Sequence, residues 1–398
     1  MGTCERLCFE LGGPVTVDLM GARSDRRPGV LVLEDGRSFP GVGFAADGCA
    51  FGEAVFATGM TGYQETLTDP SYHRQVVIMT APHLGNTGMN DEDDESARIW
   101  VAGFVVRDLA PRPSNWRSRR SLAQALLDQG IVGLTGVDTR ALTRHLRDRG
   151  AMRVGLFTGA AASLPPAARL EQVLDQPAMT GANLTDDVSC TAAYRVSAPG
   201  MARFRVTAVD LGIKTATPRM MADRGMDVTV VPAGTSTAEL LDARPDGVFF
   251  SNGPGDPATA EHATALMSAA LHAGIPVFGI CFGNQVLGRA LGLDTYKLQF
   301  GHRGINQPVQ DLRTGQIAIT AHNHGFAVDA PLDRPFATPF GMAEVSHVGL
   351  NDSVVEGLRC LERPAFSVQY HPEAAAGPHD AAGLFDEFAA LMSRAGGG

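Results

Sequence analysis

The 398-residue chain is predicted to be an α/β protein in two parts. A β-rich α/β module occupies residues 29–158, and a domain with a mainly parallel sheet flanked by helices occupies 203–398. Three observations predict this. From 29 to about 110, β-rich runs alternate with Gly-rich turns. Between 159 and 202 the chain turns rich in Ala, Pro, Ser and Thr, with Pro165-Pro166 and Ala198-Pro-Gly200, which marks a linker. Beyond it, short apolar runs alternate with helical stretches, the pattern of parallel strands joined by helices on both faces.

In chain order, residues 1–28, with the run Arg23-Ser-Asp-Arg-Arg-Pro28, form an N-terminal extension that is assigned no role. Strands are predicted at 29–33, 54–57, 75–80 and 100–107. Helices follow at 121–129 and 138–149, each starting at a capping residue, Ser121 or Asp138, and ending before Gly130 or Gly150. In the second part the apolar runs 204–209, 227–231, 247–250 and 276–280 read as strands, with helices at 218–224, 259–272 and 282–291.

The segment Gly279-Ile-Cys281-Phe-Gly283-Asn284-Gln285 sets one cysteine between two glycines, directly after the apolar run Ile275-Pro-Val-Phe278. This is the pattern of a nucleophile elbow, where a strand ends, the chain turns sharply and a helix begins. The cysteine then sits at a helix N-terminus, where the macrodipole is expected to lower its pKa. Downstream, the apolar run Phe366-Ser-Val-Gln-Tyr370 leads into His371-Pro372-Glu373. Residues two apart on an extended segment project to the same side, so Glu373 can orient His371 while the other ring nitrogen faces Cys281. A third segment, Ser251-Asn252-Gly253-Pro254-Gly255-Asp256-Pro257, follows another strand. Its glycines allow close backbone approach, and the N–H groups of Gly253 and Phe282 are expected to form an oxyanion hole.

Three other signals have plainer readings. Gly212-Ile-Lys-Thr215 lacks the spacing of a phosphate-binding loop and reads as a strand-to-helix turn. His322-Asn-His324 puts two imidazoles on one side of a strand, but with no carboxylate or cysteine nearby to complete a ligand set, no metal site is expected. Gly301-His302-Arg303-Gly304 reads as a loop covering the elbow.

Composition narrows the function. A formal net charge of −10 and no long Lys/Arg run argue against nucleic-acid binding. Six scattered cysteines, Cys4, Cys8, Cys49, Cys190, Cys281 and Cys360, contain no C-x-x-C pair, which favours a reducing cytoplasm. No apolar stretch approaches the roughly 20 residues of a membrane helix, and the N-terminus lacks a secretory pattern.

The elbow cysteine, the His-Pro-Glu and the Asn-Gly-Pro-Gly loop resemble the class I (triad) glutamine amidotransferases over roughly 205–395. The first half is similar to the N-terminal domain of the carbamoyl-phosphate synthetase small chain. The carrying stretches are Leu31-Val-Leu-Glu-Asp-Gly36, Ala54-Val-Phe-Ala-Thr-Gly-Met-Thr-Gly-Tyr-Gln-Glu65, Leu67-Thr-Asp-Pro-Ser-Tyr72 and Pro82-His-Leu-Gly-Asn86, joined later by Val209-Asp-Leu-Gly-Ile-Lys214 and Asn323-His-Gly-Phe326. The resemblance implies a glutaminase in which Cys281 attacks the carboxamide, His371 acts as acid and base, and Glu373 orients it. It places the glutamine contacts on Ser71, Gly253, Gly255, Phe282, Gln285, Asn323, Gly325 and Phe326. It also implies no cofactor in this chain and MgATP used by a large subunit, which receives the ammonia through a tunnel. Heterodimers, their assembly into larger complexes, and supply of arginine and pyrimidine biosynthesis are implied as well. Glutaminase activity is expected to stay low until the partner binds.

Two departures stand out: Asn284 where histidine is common in the family, and Phe282 where leucine is frequent. They are expected to alter packing or a hydrogen bond behind the elbow. Two other readings stay open. An amidotransferase subunit such as that of anthranilate synthase would not need 29–150, and a silent subunit would bind the synthetase without catalysis.

Overall fold

The computed structural model describes residues 27–395. Cys4, Cys8 and nearly all of the 1–28 extension lie outside the described residues. The first module contains β1 (Arg27–Leu33), β2 (Ser38–Gly43), β3 (Gly48–Ala57), α1 (Tyr63–Thr68), β4 (Gln75–Met79), β5 (His83–Leu84), β6 (Gly103–Val105), β7 (Asp108–Leu109), α2 (Leu122–Asp128), β8 (Val132–Thr135), α3 (Thr139–Arg149) and β9 (Met152–Thr158). Seven of these strands close a barrel in the order β1-β2-β8-β6-β4-β3-β9, while β5 and β7 pair separately. Strand β1 starts at Arg27, two residues before the predicted boundary, because Arg27 and Pro28 pair with Gly43 and Val42. The run 100–107 shortens to β6. Ser121 and Asp138 cap α2 and α3, accepting from the N–H groups of Gln124 and Ala141.

The predicted linker is not featureless. It carries α4 (Pro166–Leu174), α5 (Thr185–Val188) and β10 (Tyr194–Val196). Both faces of β1 are buried: Leu31 and Leu33 pack with Ile78, Leu134 and Leu156, while Val30 and Val32 are covered by Leu170 and Val173 of α4. Strand β10 instead joins the second domain's sheet.

That domain runs β11 (Phe204–Asp210), α6 (Ala216–Ala222), β12 (Met226–Pro232), α7 (Thr237–Asp242), β13 (Gly247–Phe250), α8 (Glu261–His272), β14 (Val277–Ile280), α9 (Phe282–Ala290), β15 (Thr295–Asp311), β16 (Ile317–Val328), β17 (Phe336–Thr338), β18 (Gly341–Gly349), β19 (Val355–Cys360), β20 (Ala365–Val368) and α10 (Leu384–Ala395). Strands β12-β11-β13-β14-β20 are parallel and form its centre. Helices cover both sides. Phe249, Phe278 and Ile280 face Met221 of α6 and Phe385 and Phe388 of α10, whereas Val248, Phe250 and Val277 face Leu266 of α8 and Leu287 of α9. Strands buried on both faces read as continuous apolar runs, which is why the sequence revealed them.

An antiparallel extension, β19-β18-β15-β16, continues the sheet beyond β20. Its long strands are half exposed, and alternation without a continuous apolar run hid them. This extension meets the first module: the Thr58 N–H donates to the Arg303 carbonyl, and Phe56 stacks on Phe300 at 5.6 Å.

Candidate active site

The elbow forms at the carboxyl end of β14. Cys281 has φ 55° and ψ −100°, a backbone conformation rare outside glycine, and α9 starts at the next residue. Close approach explains the flanking glycines. A Cβ on Gly283 would lie 2.2 Å from the Phe250 carbonyl oxygen, and one on Gly279 would lie 2.6 Å from that of Gly283. The Cys281 N–H donates to the Val368 carbonyl on β20, so the elbow is tied to the strand that leads to the histidine.

Past β20 the chain bends. His371 and Glu373 therefore meet across a turn rather than on the extended segment expected, with His371 Nδ1 2.7 Å from Glu373 Oε1. The same oxygen lies 2.6 Å from Lys214 Nζ. All three side chains are buried. Burial pulls Glu373 upward, but Lys214 and His371 outweigh it and hold the carboxyl at about 2. His371 Nε2 has no hydrogen-bond partner among the described residues, so one ring nitrogen is anchored and the other is free to handle a proton.

The Glu373–Lys214 ion pair stabilises the fold. Its carboxyl is depressed from 4.5 to about 2 in the fold, so its stabilisation is present above the ordinary value and lost as pH falls toward 2. The contribution is on the order of 3 kcal/mol. The stability gap between wild type and Glu373→Gln, measured by urea unfolding, should narrow from pH 5 to pH 3. Lys214→Met leaves a buried carboxylate without its cation and should destabilise the chain by about 3–5 kcal/mol in the same assay at pH 7.

For Cys281, the expected lowering of the pKa is not what the surroundings produce. Cys281 is 2% exposed, and burial, reinforced by Asp69 and Glu373, pushes the thiol up against the opposing pull of Lys214 and the Phe282 N–H. The helix N-terminus is present, but desolvation outweighs it. The thiol form is therefore favoured.

A single narrow cleft is lined by Cys281 together with Ser71, Gly253, Gly255, Phe282, Gln285, Asn323, Gly325 and Phe326. His371 opens on an adjoining cavity, and Asn323 borders both. The Asn323 carbonyl lies 3.6 Å from Cys281 Sγ. Ser71 comes from the first module, on a short helical turn capped by Asp69, and its hydroxyl accepts from Asn252 Nδ2 at 2.9 Å. Asp69 also accepts from Asn323 Nδ2 at 2.9 Å, so one buried carboxylate links the two parts of the chain. The side chain of Gln285 donates to the Phe326 carbonyl and to Gln369, which spends its N–H donors and leaves its Oε1 without a protein partner among the described residues.

Asn284 is buried behind the elbow. It donates to Gln369 Oε1 at 3.1 Å and accepts from the Ser367 hydroxyl at 2.9 Å. Its hydrogen bonds reach the floor of the site rather than the cleft.

Sequence reasoning missed several residues. Lys214 sits in a turn that reads as structural, Asp69 stands two residues before Ser71 without a signal of its own, and Arg303 is buried with two guanidinium nitrogens unpartnered among the described residues. Contrary to the expectation from sequence, a carboxylate does stand near His322 and His324. Strand pairing brings His302 opposite His324, and Glu356 of β19 lies against all three rings.

Residues 31–156 match the family model described as carbamoyl-phosphate synthase small chain, CPSase domain, and residues 207–391 match that of glutamine amidotransferase class-I. A carbamoyl phosphate synthase small chain from Streptomyces coelicolor is 65% identical over 379 residues, covering 95% of this chain and 99% of that one. One from Streptomyces avermitilis is 66% identical over 92% of this chain and 96% of its own. One from Mycobacterium tuberculosis is 59% identical over 92% and 99%. No described helix is long and apolar enough to cross a membrane.

Proposed function

The chain belongs to the carbamoyl-phosphate synthase small chain family and is a glutamine amidotransferase subunit; from that premise we propose that it hydrolyses L-glutamine at Cys281, His371 and Glu373 and passes the ammonia to a large subunit. The observation that carries this reading is the cleft in which the nucleophile and eight residues suited to an amino-acid side chain converge. Family membership leaves no room for the anthranilate synthase reading, because the matched region 31–156 is the one that reading does not need.

In the proposed reaction, His371 Nε2 takes the proton of the buried thiol as the sulfur attacks the carboxamide carbon of glutamine. The N–H groups of Phe282 and Gly253 receive the negative charge that develops on the carboxamide oxygen. His371 then protonates the departing ammonia, which leaves a γ-glutamyl thioester. Water, deprotonated by the same ring, cleaves it to glutamate. Glu373 keeps Nδ1 protonated and Nε2 free for both steps, and Lys214 keeps Glu373 ionised. A raised thiol pKa suits an enzyme whose hydrolysis waits for substrate and partner.

The large subunit would supply the MgATP chemistry that joins bicarbonate and ammonia into carbamoyl phosphate, for arginine and pyrimidine biosynthesis. Ammonia in water near neutral pH is mostly protonated and unreactive, a reason for a closed passage between subunits. The test uses glutamine labelled with ¹⁵N at the amide, bicarbonate and MgATP, with unlabelled ammonium in the medium. The expected result is label in carbamoyl phosphate only when both subunits are present, and slow glutamine hydrolysis by the free chain. Ammonia-dependent synthesis that persists in the complex without any glutamine-dependent synthesis would overturn the assignment.

A further inference from the structure

We propose that His302, His322, His324 and Glu356 form a zinc site that ties β15, β16 and β19 together behind the glutamine cleft. One ligand atom from each residue lies within 4.8 Å of every other. His302 stands on β15 opposite His324 on β16, His322 shares a face with His324, and Glu356 reaches them from β19. Three imidazoles and one carboxylate make the N₃O set that tetrahedral Zn²⁺ accepts, and bonds of about 2.0–2.1 Å would put neighbouring ligand atoms about 3.3 Å apart.

Proton placement is the strongest argument. His324 Nδ1 lies 2.9 Å from the Phe326 carbonyl, which can only accept, so Nδ1 carries the hydrogen and Nε2 bears a lone pair. The Thr320 hydroxyl donates to the Gln307 carbonyl at 2.8 Å, so it accepts from His322 Nε2 at 2.7 Å and leaves the lone pair on His322 Nδ1. Those two lone pairs face each other at 3.1 Å. His302 Nε2 is held by Asp352 Oδ2 at 2.7 Å, which turns Nδ1 toward Glu356 at 3.3 Å. Every ring thus has its outer nitrogen anchored to an acceptor and its inner nitrogen aimed at one point, the arrangement that orients metal-bound histidines.

Glu356 supports the same reading independently. The residue is fully buried, and among the described residues its nearest polar neighbour is His302 Nδ1 at 3.3 Å, an ion-pair approach that misses hydrogen-bond geometry and leaves both carboxylate oxygens without a well-formed hydrogen bond. The remaining nitrogens lie 3.7 and 3.9 Å from it. A buried carboxylate and two opposed lone pairs are each costly alone, and a cation between them satisfies both. A bridging proton is the competing explanation, which would place an imidazolium in the same buried cluster.

Because Asn323 lies between the two β16 histidines, its carbonyl faces Cys281 and His324 itself lines the cleft, the metal would brace that wall of the cleft.

The test is metal analysis of the full chain, produced in zinc-supplemented medium without a histidine tag and passed through gel filtration. Equimolar zinc is expected in wild type and in Cys281→Ala, and loss of zinc is expected in His322→Gln and Glu356→Gln. Cobalt(II) in its place should give the intense visible bands of a tetrahedral site without thiolate charge transfer. Since Glu356→Gln could fail to fold, wild type is also melted with and without a chelator. A fall in Tm that added zinc reverses supports the site. Folded wild type that retains no zinc and melts identically with chelator overturns it in favour of the bridging proton. Equimolar zinc that survives His322→Gln overturns it in favour of binding elsewhere.

Discussion

Replacing Cys281 with alanine should abolish glutamine-dependent carbamoyl phosphate synthesis while ammonia-dependent synthesis by the same complex continues near the wild-type rate. The expected loss is large because the sulfur makes the covalent bond, and removing a nucleophile that acts in concert with its base costs on the order of 10⁴–10⁶ in rate. The substitution is conservative for the fold. Cys281 is buried, its backbone is held by the Val368 carbonyl, and alanine deletes only the sulfur from a position already at φ 55°. Ammonia-dependent synthesis therefore serves as an internal control for assembly. Loss of both activities would mean that the elbow shapes the subunit interface as well as the chemistry. If glutamine still supports synthesis, the triad assignment is wrong, and the silent-subunit reading takes its place.

What the sequence disclosed about this site depended on distance along the chain. Cys281, with its two glycines, and the pair His371 and Glu373 occupy short stretches, so the sharp turn at Cys281 and the contact between His371 and Glu373 could be read locally. Lys214 contacts Glu373 from more than 150 residues away, and Asp69 meets Asn323 from more than 250. Neither motif announces the other, because a salt bridge between distant segments leaves no periodicity. The central strands were legible for the opposite reason: burial on both faces gives unbroken apolar runs such as Gly247–Phe250. Strands β15 to β19 leave one face partly open and alternate too irregularly, which concealed both the antiparallel extension and the approach of Glu356 to three histidines. The sign of the Cys281 shift was missed because a helix N-terminus is visible in sequence, while the depth at which it is buried is not.

Glu373→Gln should lower kcat for glutamine hydrolysis by roughly 10²–10⁴ and leave KM for glutamine little changed. The comparable change in a Ser-His-Asp triad costs about 10⁴ by presenting the wrong imidazole tautomer. Glutamine at this position can offer either its oxygen or its amide to His371 Nδ1. Lys214, 2.6 Å from the present carboxylate oxygen, competes for that oxygen and favours turning the amide toward the ring. An amide N–H facing Nδ1 moves the ring's hydrogen to Nε2, where it can no longer accept the thiol proton. Glu373 does not line the cleft, so substrate contacts should survive. A matching rise in KM would show instead that the loop after β20 had moved. Combining the change with Lys214→Met separates these causes. With the competing cation gone, the glutamine oxygen can accept from Nδ1, and part of the lost kcat should return even though each single substitution is damaging. Absence of any recovery in the double variant would mean that the negative charge itself stabilises the imidazolium formed during attack, and that orientation is the smaller part of what Glu373 does.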